Sequence, residues 1–114
     1  MGYLQYGSAS EYEFDDRTLA HLKVVVVSRL RRQESFLLSW ATEPSAGSGR
    51  TSIWIAPTIP LQFRFSGSRP PALNKTWIDV MSRLSHSSRG LVVVSEEEAE
   101  AVKSGEVTIS GGID

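Results

Sequence analysis

Asp15-Asp16-Arg17-Thr18-Leu19-Ala20-His21-Leu22-Lys23-Val24-Val25-Val26-Val27-Ser28-Arg29-Leu30-Arg31-Arg32 admits two readings, and the choice between them separates an all-β chain from an α+β one. The run from Val24 to Val27 favours a strand, because branching at Cβ restricts χ1 against the preceding turn of a helix. The longer pattern favours a helix: Leu19, Leu22, Val26 and Leu30 recur at helical spacing and form one apolar stripe. Both ends agree with the helix. Asp15 or Asp16 can cap the first turn, and Arg29, Arg31 and Arg32 complement the negative end of the helix dipole. The stretch is read as a helix through Arg32.

Working outward, residues 3–6 and 11–14 flank Gly7-Ser8 and alternate as a half-buried hairpin does. Downstream, residues 35–41, 51–56 and 61–66 are strands. A Gly/Ser-rich loop separates the first two, and Pro57 and Pro60 bracket the connection to the third, so an antiparallel meander is the simplest topology. Alternation then places Phe36, Leu38, Trp40, Ile53, Ile55, Leu61, Phe63 and Phe65 on one side, and Leu37, Ser39, Ser52, Trp54, Gln62 and Arg64 on the other. Asn74 can cap a second helix, carrying Trp77, Val80, Met81 and Leu84 and ending near Ser87. Gly90 leads into residues 91–94, a last strand whose apolar run predicts burial on both faces or an inner position in the sheet. The expected fold is α+β, in the order ββαβββαβ, with a mainly antiparallel sheet and two helices.

The chain has 114 residues and no cysteine, which suits one core without disulfides and excludes zinc-thiolate sites and a cysteine nucleophile. No apolar run reaches the roughly 18 residues of a membrane span, and residues 1–7 lack the features of a signal peptide; the expected location is the cytoplasm, with no membrane partner. The net charge of −1 conceals an asymmetry. Residues 1–94 carry eleven Lys/Arg against seven Asp/Glu, whereas residues 95–114 carry one Lys against six acids. A single domain over residues 1–94 and a disordered acidic tail over 95–114 follow, with a short helix from Glu97 to Lys103 as the alternative. Such a tail either solubilises the domain or competes with an anionic partner for its basic body.

Catalytic signatures are missing. His21 and His86 have no spaced partner that would build a metal site, so neither metal nor cofactor is expected. The serines around His86 lack the strand-turn-helix elbow of a nucleophile. Ala46-Gly47-Ser48-Gly49-Arg50-Thr51-Ser52 could wrap a phosphate, but it leads into a strand and is not a Walker loop. The meander brings Trp54 beside Arg64, with Gln62 and Leu37 nearby and Arg50 and Arg69 at the rim. An aromatic next to a guanidinium can stack a base and pair its phosphate, or anchor a protein interface. The other reading covers this face and makes Trp54 core. Arg29, Arg31 and Arg32 form a second basic patch.

Several motifs are specific as a set: Gly2-x-Leu4-x-Tyr6-Gly7, Phe14-Asp15-Asp16-Arg17-x-Leu19-Ala20-His21, Leu30-Arg31-Arg32-x-Glu34-Ser35-Phe36, Ser39-Trp40, Ile53-Trp54-Ile55-x-Pro57, and Pro60-Leu61-x-Phe63-x-Phe65-Ser66-Gly67-x-Arg69-Pro70-Pro71 with Asn74 and Trp77. Over residues 1–94 the chain resembles a family of small uncharacterised actinobacterial proteins often labelled ATP-dependent DNA ligase. The resemblance implies a link to DNA. It does not bring the ligase nucleophile: such enzymes adenylate the lysine of Lys-x-Asp-Gly, and the lysines here begin Lys23-Val-Val-Val, Lys75-Thr-Trp-Ile and Lys103-Ser-Gly-Glu. Ala56 also stands where similar chains often have His.

The expected function is therefore that of a non-enzymatic binding module engaging nucleic acid or a protein through Trp54, Arg64, Gln62, Arg50 and Arg69. The alternatives are a DNA-ligation-associated protein without its own ligase site, and a homodimer joined through the Trp54 face.

Overall fold

The computed structural model describes residues 1–41, 49–87 and 89–105. Among them the elements run β1 (Gly2–Tyr6), β2 (Ser10–Phe14), α1 (Asp16–Arg31), β3 (Phe36–Ala41), β4 (Arg50–Ile55), β5 (Leu61–Arg64), α2 (Lys75–Leu84), β6 (Leu91–Val92) and α3 (Glu96–Ser104). The fold is α+β.

The contested stretch is a helix. Asp15 caps it, its side chain accepting from the Thr18 amide at 2.6 Å. The other end closes as a Schellman turn: Gln33 sits at φ 61, its amide donates to the Leu30 carbonyl, and the Glu34 amide donates to that of Arg29. Leu19, Leu22, Val25 and Val26 are fully or almost fully buried. Burying four such side chains contributes roughly 6–12 kcal/mol, against about 0.5 kcal/mol of lost helix propensity for each valine. Packing therefore overrides the local preference for a strand, and Val24 is left facing water.

The strands form two three-stranded sheets where sequence predicted one meander. The first has the order β2-β1-β5 and is antiparallel throughout; the second has the order β4-β3-β6, with β3 antiparallel to β4 and parallel to β6. The chain thus leaves one sheet after β4 and enters the other at β5. Pro57 and Pro60 cannot donate to a ladder, and the Pro60 carbonyl accepts from the Gly7 amide at 2.9 Å, which delivers β5 to β1. Alternation within the strands is as expected except at Ser39, which is buried although it shares a face with Leu37. The registers set Phe36 opposite Ile55 and Leu38 opposite Ile53 on the core side of the second sheet, and Leu4 opposite Tyr12 and Phe63 in the first. Trp40 joins the sheets, meeting the rings of Tyr12 and Phe14 edge-on, each at 5.1 Å between centroids.

Two further expectations change at the C-terminal side. β6 is a two-residue edge strand; the Val93 amide still donates to the Ser39 carbonyl of β3 at 2.9 Å before the chain reaches the Ser95 cap. Its apolar run is covered by helices instead, with the Trp77 indole donating to the Val94 carbonyl at 2.8 Å. Gly90 brings this strand in at φ 77, where a Cβ would lie 2.4 Å from the Leu37 carbonyl oxygen, so only glycine fits. Residues 96–104, read as the start of a disordered tail with a short helix from Glu97 to Lys103 as the alternative, form α3, as that alternative has it. Ser95 and Glu98 make a capping box, three glutamates occupy the first turn, and Gly105 ends the helix in the left-handed region. Ala99 is completely buried beneath it. The remainder of the tail, residues 106–114, lies outside the described residues, as do residues 42–48, which include the first three positions, 46–48, of the loop read as a phosphate cradle. No described helix is long and apolar enough to cross a membrane.

Candidate functional site

The predicted Trp54–Arg64 pair does not exist as one surface, because β4 and β5 lie in different sheets. On the outer face of the first sheet, Tyr3 pairs across the ladder with Glu13 and Arg64, and Gln5 with Glu11 and Gln62. Arg64 reaches over β1 to Glu11 at 2.8 Å and lies over the Tyr3 ring at 5.1 Å. Tyr3 in turn donates to Glu13 at 3.3 Å. With two carboxylates to one guanidinium, this face carries no surplus positive charge for a phosphate.

Trp54 stands on the outer face of the second sheet and is 57% exposed. Leu37 is its cross-strand neighbour, Ser52 and Ser39 form the next pair with their hydroxyls 2.7 Å apart, and Arg50 faces Ala41 beyond them. Trp54 and Arg50 therefore share a face, separated by about 13 Å along the strand. The Trp54 backbone is anchored from the first sheet: its carbonyl accepts the Tyr6 hydroxyl. Burial pushes the Tyr6 phenol up, partly opposed by the Ala56 backbone. Arg69 is remote from this face, in the loop that follows β5.

The second basic patch also dissolves. Arg29 is 9% exposed, donates to the Ser85 carbonyl at 2.9 Å and the Ser85 hydroxyl at 2.6 Å, pairs with Glu34, and covers the Phe36 ring at 4.8 Å. It is a strut between α1, α2 and β3. Arg32 shares Glu34 at 3.5 Å, and Arg31 is exposed. A basic helix end read from sequence carried no sign that its first arginine turns inward.

Among the described residues, a dense polar cluster lies where α1, α2 and α3 meet. Arg17 grips Glu96 with two donors, at 3.0 and 2.7 Å, and donates to the Ala72 carbonyl at 3.0 Å. Asn74 caps α2 through its oxygen while its amide nitrogen donates to Glu96 at 2.8 Å and Glu100 at 3.1 Å. The Arg17 guanidinium, then Asn74, hold the Glu96 carboxyl down at about 2, and the same contact raises Arg17. His21 is fully buried, stacks on Trp77 at 4.4 Å between centroids, bonds the Arg17 carbonyl through Nδ1 at 2.7 Å and accepts from the Asn74 amide through Nε2 at 2.8 Å. Both ring nitrogens are occupied, so this histidine is structural. Sequence missed the cluster because Arg17 and Glu96 are 79 positions apart and no local spacing connects them.

A model of the family described as Domain of unknown function (DUF7882) matches residues 1–96. The chain belongs to that family. No curated protein and no solved structure matches it. The matched region ends at the first residue of α3, so the family's domain comprises both sheets, α1 and α2, and α3 packs onto it from just beyond.

Proposed function

We propose that the domain is a non-enzymatic binding module that engages a protein partner through the outer face of the β4-β3 sheet, with Trp54 as anchor. The observation that carries this reading is the exposed indole on a face with half-buried Leu37 beside it and small serine side chains between. Trp40 and Trp77 make ring contacts inside the fold, whereas Trp54 keeps most of a large apolar surface in water. Tryptophans in that situation dominate binding hot spots, where removing one costs about 2 kcal/mol or more. A nucleic-acid partner, and with it the DNA role implied by ligase-labelled proteins, is less well supported. A single-strand binder combines stacking with a continuous positive groove, and Arg64 and Arg29 are committed to Glu11 and Glu34.

The test places a photo-crosslinking amino acid at position 52, exposed on the same face as an intact Trp54, and, as a control, at position 31 on exposed α1. A protein crosslinked from 52 and not from 31, whose affinity for the purified domain falls by at least about 2 kcal/mol in Trp54→Ala, is the expected result. If the crosslinked protein is a second copy, light scattering will show a dimer that the same substitution dissociates. Oligonucleotide binding that falls steeply with salt and disappears in Trp54→Ala would instead assign the face to nucleic acid.

A further inference from the structure

The Phe65-Ser66-Gly67-x-Arg69-Pro70-Pro71 motif builds a groove that the Trp54 reading does not use. It runs between one side of α1, at Asp16, Ala20, Lys23 and Val24, and the loop from Phe65 to Leu73, and has a volume of about 370 Å³. Its loop wall is held in place. The Asp16 carboxylate accepts from the Gly67 amide at 2.9 Å and the Ser66 amide at 3.2 Å, and these two bonds also lower its pKa. Pro70 and Pro71 stiffen the far side and present no amide donors. The lining is mostly apolar and partly uncovered: Leu73 is 53% exposed and Val24 37%.

Charge sets the character of the occupant. Lys23 lies over the Phe65 ring at 5.8 Å, and neither it nor Arg69 has a carboxylate partner among the described residues. Asp16, the acid in the groove, spends both oxygens on the loop amides and faces the N-terminal amine at 4.0 Å. The groove thus joins an apolar floor to two cations that have no carboxylate partner among the described residues. Its volume is at the small end of ligand cavities, which span about 300–1,000 Å³, a size suited to one or two side chains of a polypeptide.

We infer that this groove is a second docking site, which takes a short acidic-apolar segment of a partner protein. An aliphatic side chain lies against Val24, Phe65 and Leu73, and an adjacent carboxylate lies between Lys23 and Arg69. The site is separate from Trp54, so Trp54→Ala leaves it intact.

The test follows amide resonances of the labelled full chain during addition of a blocked hexapeptide alternating aspartate with leucine. Controls are the same peptide with lysine for aspartate, and octanoate. Saturable shifts at Ala20, Val24, Phe65 and Leu73 are expected with the acidic peptide alone, weakened roughly tenfold by each of Lys23→Glu and Arg69→Glu, both exposed positions that do not threaten the fold. Absent shifts, shifts elsewhere, equal binding of the lysine peptide, or indifference to both charge reversals would each overturn the proposal. So would saturation by octanoate with no peptide binding, which would mark a small amphipathic anion as the ligand. Concentration-dependent shifts of the same amides without peptide would overturn it in favour of a second copy.

Discussion

Asn74 was legible in the sequence as a helix cap, and only as that. Its oxygen accepts from the Thr76 and Trp77 amides, which is the local role that spacing predicts. Its nitrogen and its backbone amide do work that no local pattern encodes, on Glu96 and Glu100 of α3 and on buried His21. The residue can be divided by substitution. Asn74→Ala removes the cap, worth about 1 kcal/mol, and the charge-assisted bonds to α3, so a total loss of about 2–3 kcal/mol is expected in urea denaturation. Asn74→Asp keeps an acceptor for the helix amides but sets a third carboxylate against Glu96 and Glu100. That variant should retain α2 while loosening α3, seen as faster amide exchange at Ala99 than at Val80. Equal exchange at both positions would refute the division.

At the level of elements, α3 shows why the acidic end misled a compositional reading. Glu96-Glu97-Glu98 followed by a glycine-rich segment has the composition of a disordered tail. Yet Ser95-x-x-Glu98 is a capping box, and the glutamates fall in the first turn, where the dipole favours them. Position relative to the cap decided the outcome. Docking then depends on Glu96, whose carboxyl is held at about 2, below its ordinary 4.5, by Arg17 and Asn74. A carboxylate depressed by folding stabilises the docked state above its ordinary pKa, and that contribution is lost as pH falls through the folded value. Acidification from pH 4.5 towards 2 should therefore release α3, with Asp16 weakening its loop contact in the same direction. Glu96→Gln should show less docked α3 at neutral pH and a flatter acid response at Ala99. An acid response identical to that of the unsubstituted chain would show that Glu96 is not the titrating group.

For the whole molecule, element types and faces could be read because they are set by periodicities of two and 3.6 residues within short windows. Strand order could not, because the switch from β4 to β5 depends on a bond from Gly7, more than fifty positions away. The Trp54–Arg64 site was lost with it, since adjacency in sequence was taken for adjacency in a sheet. The same separation of local from distant information applies to α3, which is locally encoded but attached by distant contacts beyond the region matched by the family model. Removing it should then lower stability without dismantling the two sheets. On α3, Ala99 is buried and Val102 half-buried against the core, and their burial contributes about 1–2 kcal/mol. In a domain of this size each kcal/mol moves the midpoint by about 4–8 °C, so a chain ending at Ser95 should melt roughly 5–15 °C lower. Its near-ultraviolet circular dichroism, dominated by Trp40 and Trp77, should persist, because their contacts with Tyr12, Phe14 and His21 lie within residues 1–95. Loss of that signal at room temperature would mean that α3 is part of the folding unit; an unchanged midpoint would mean that its docking adds nothing to stability.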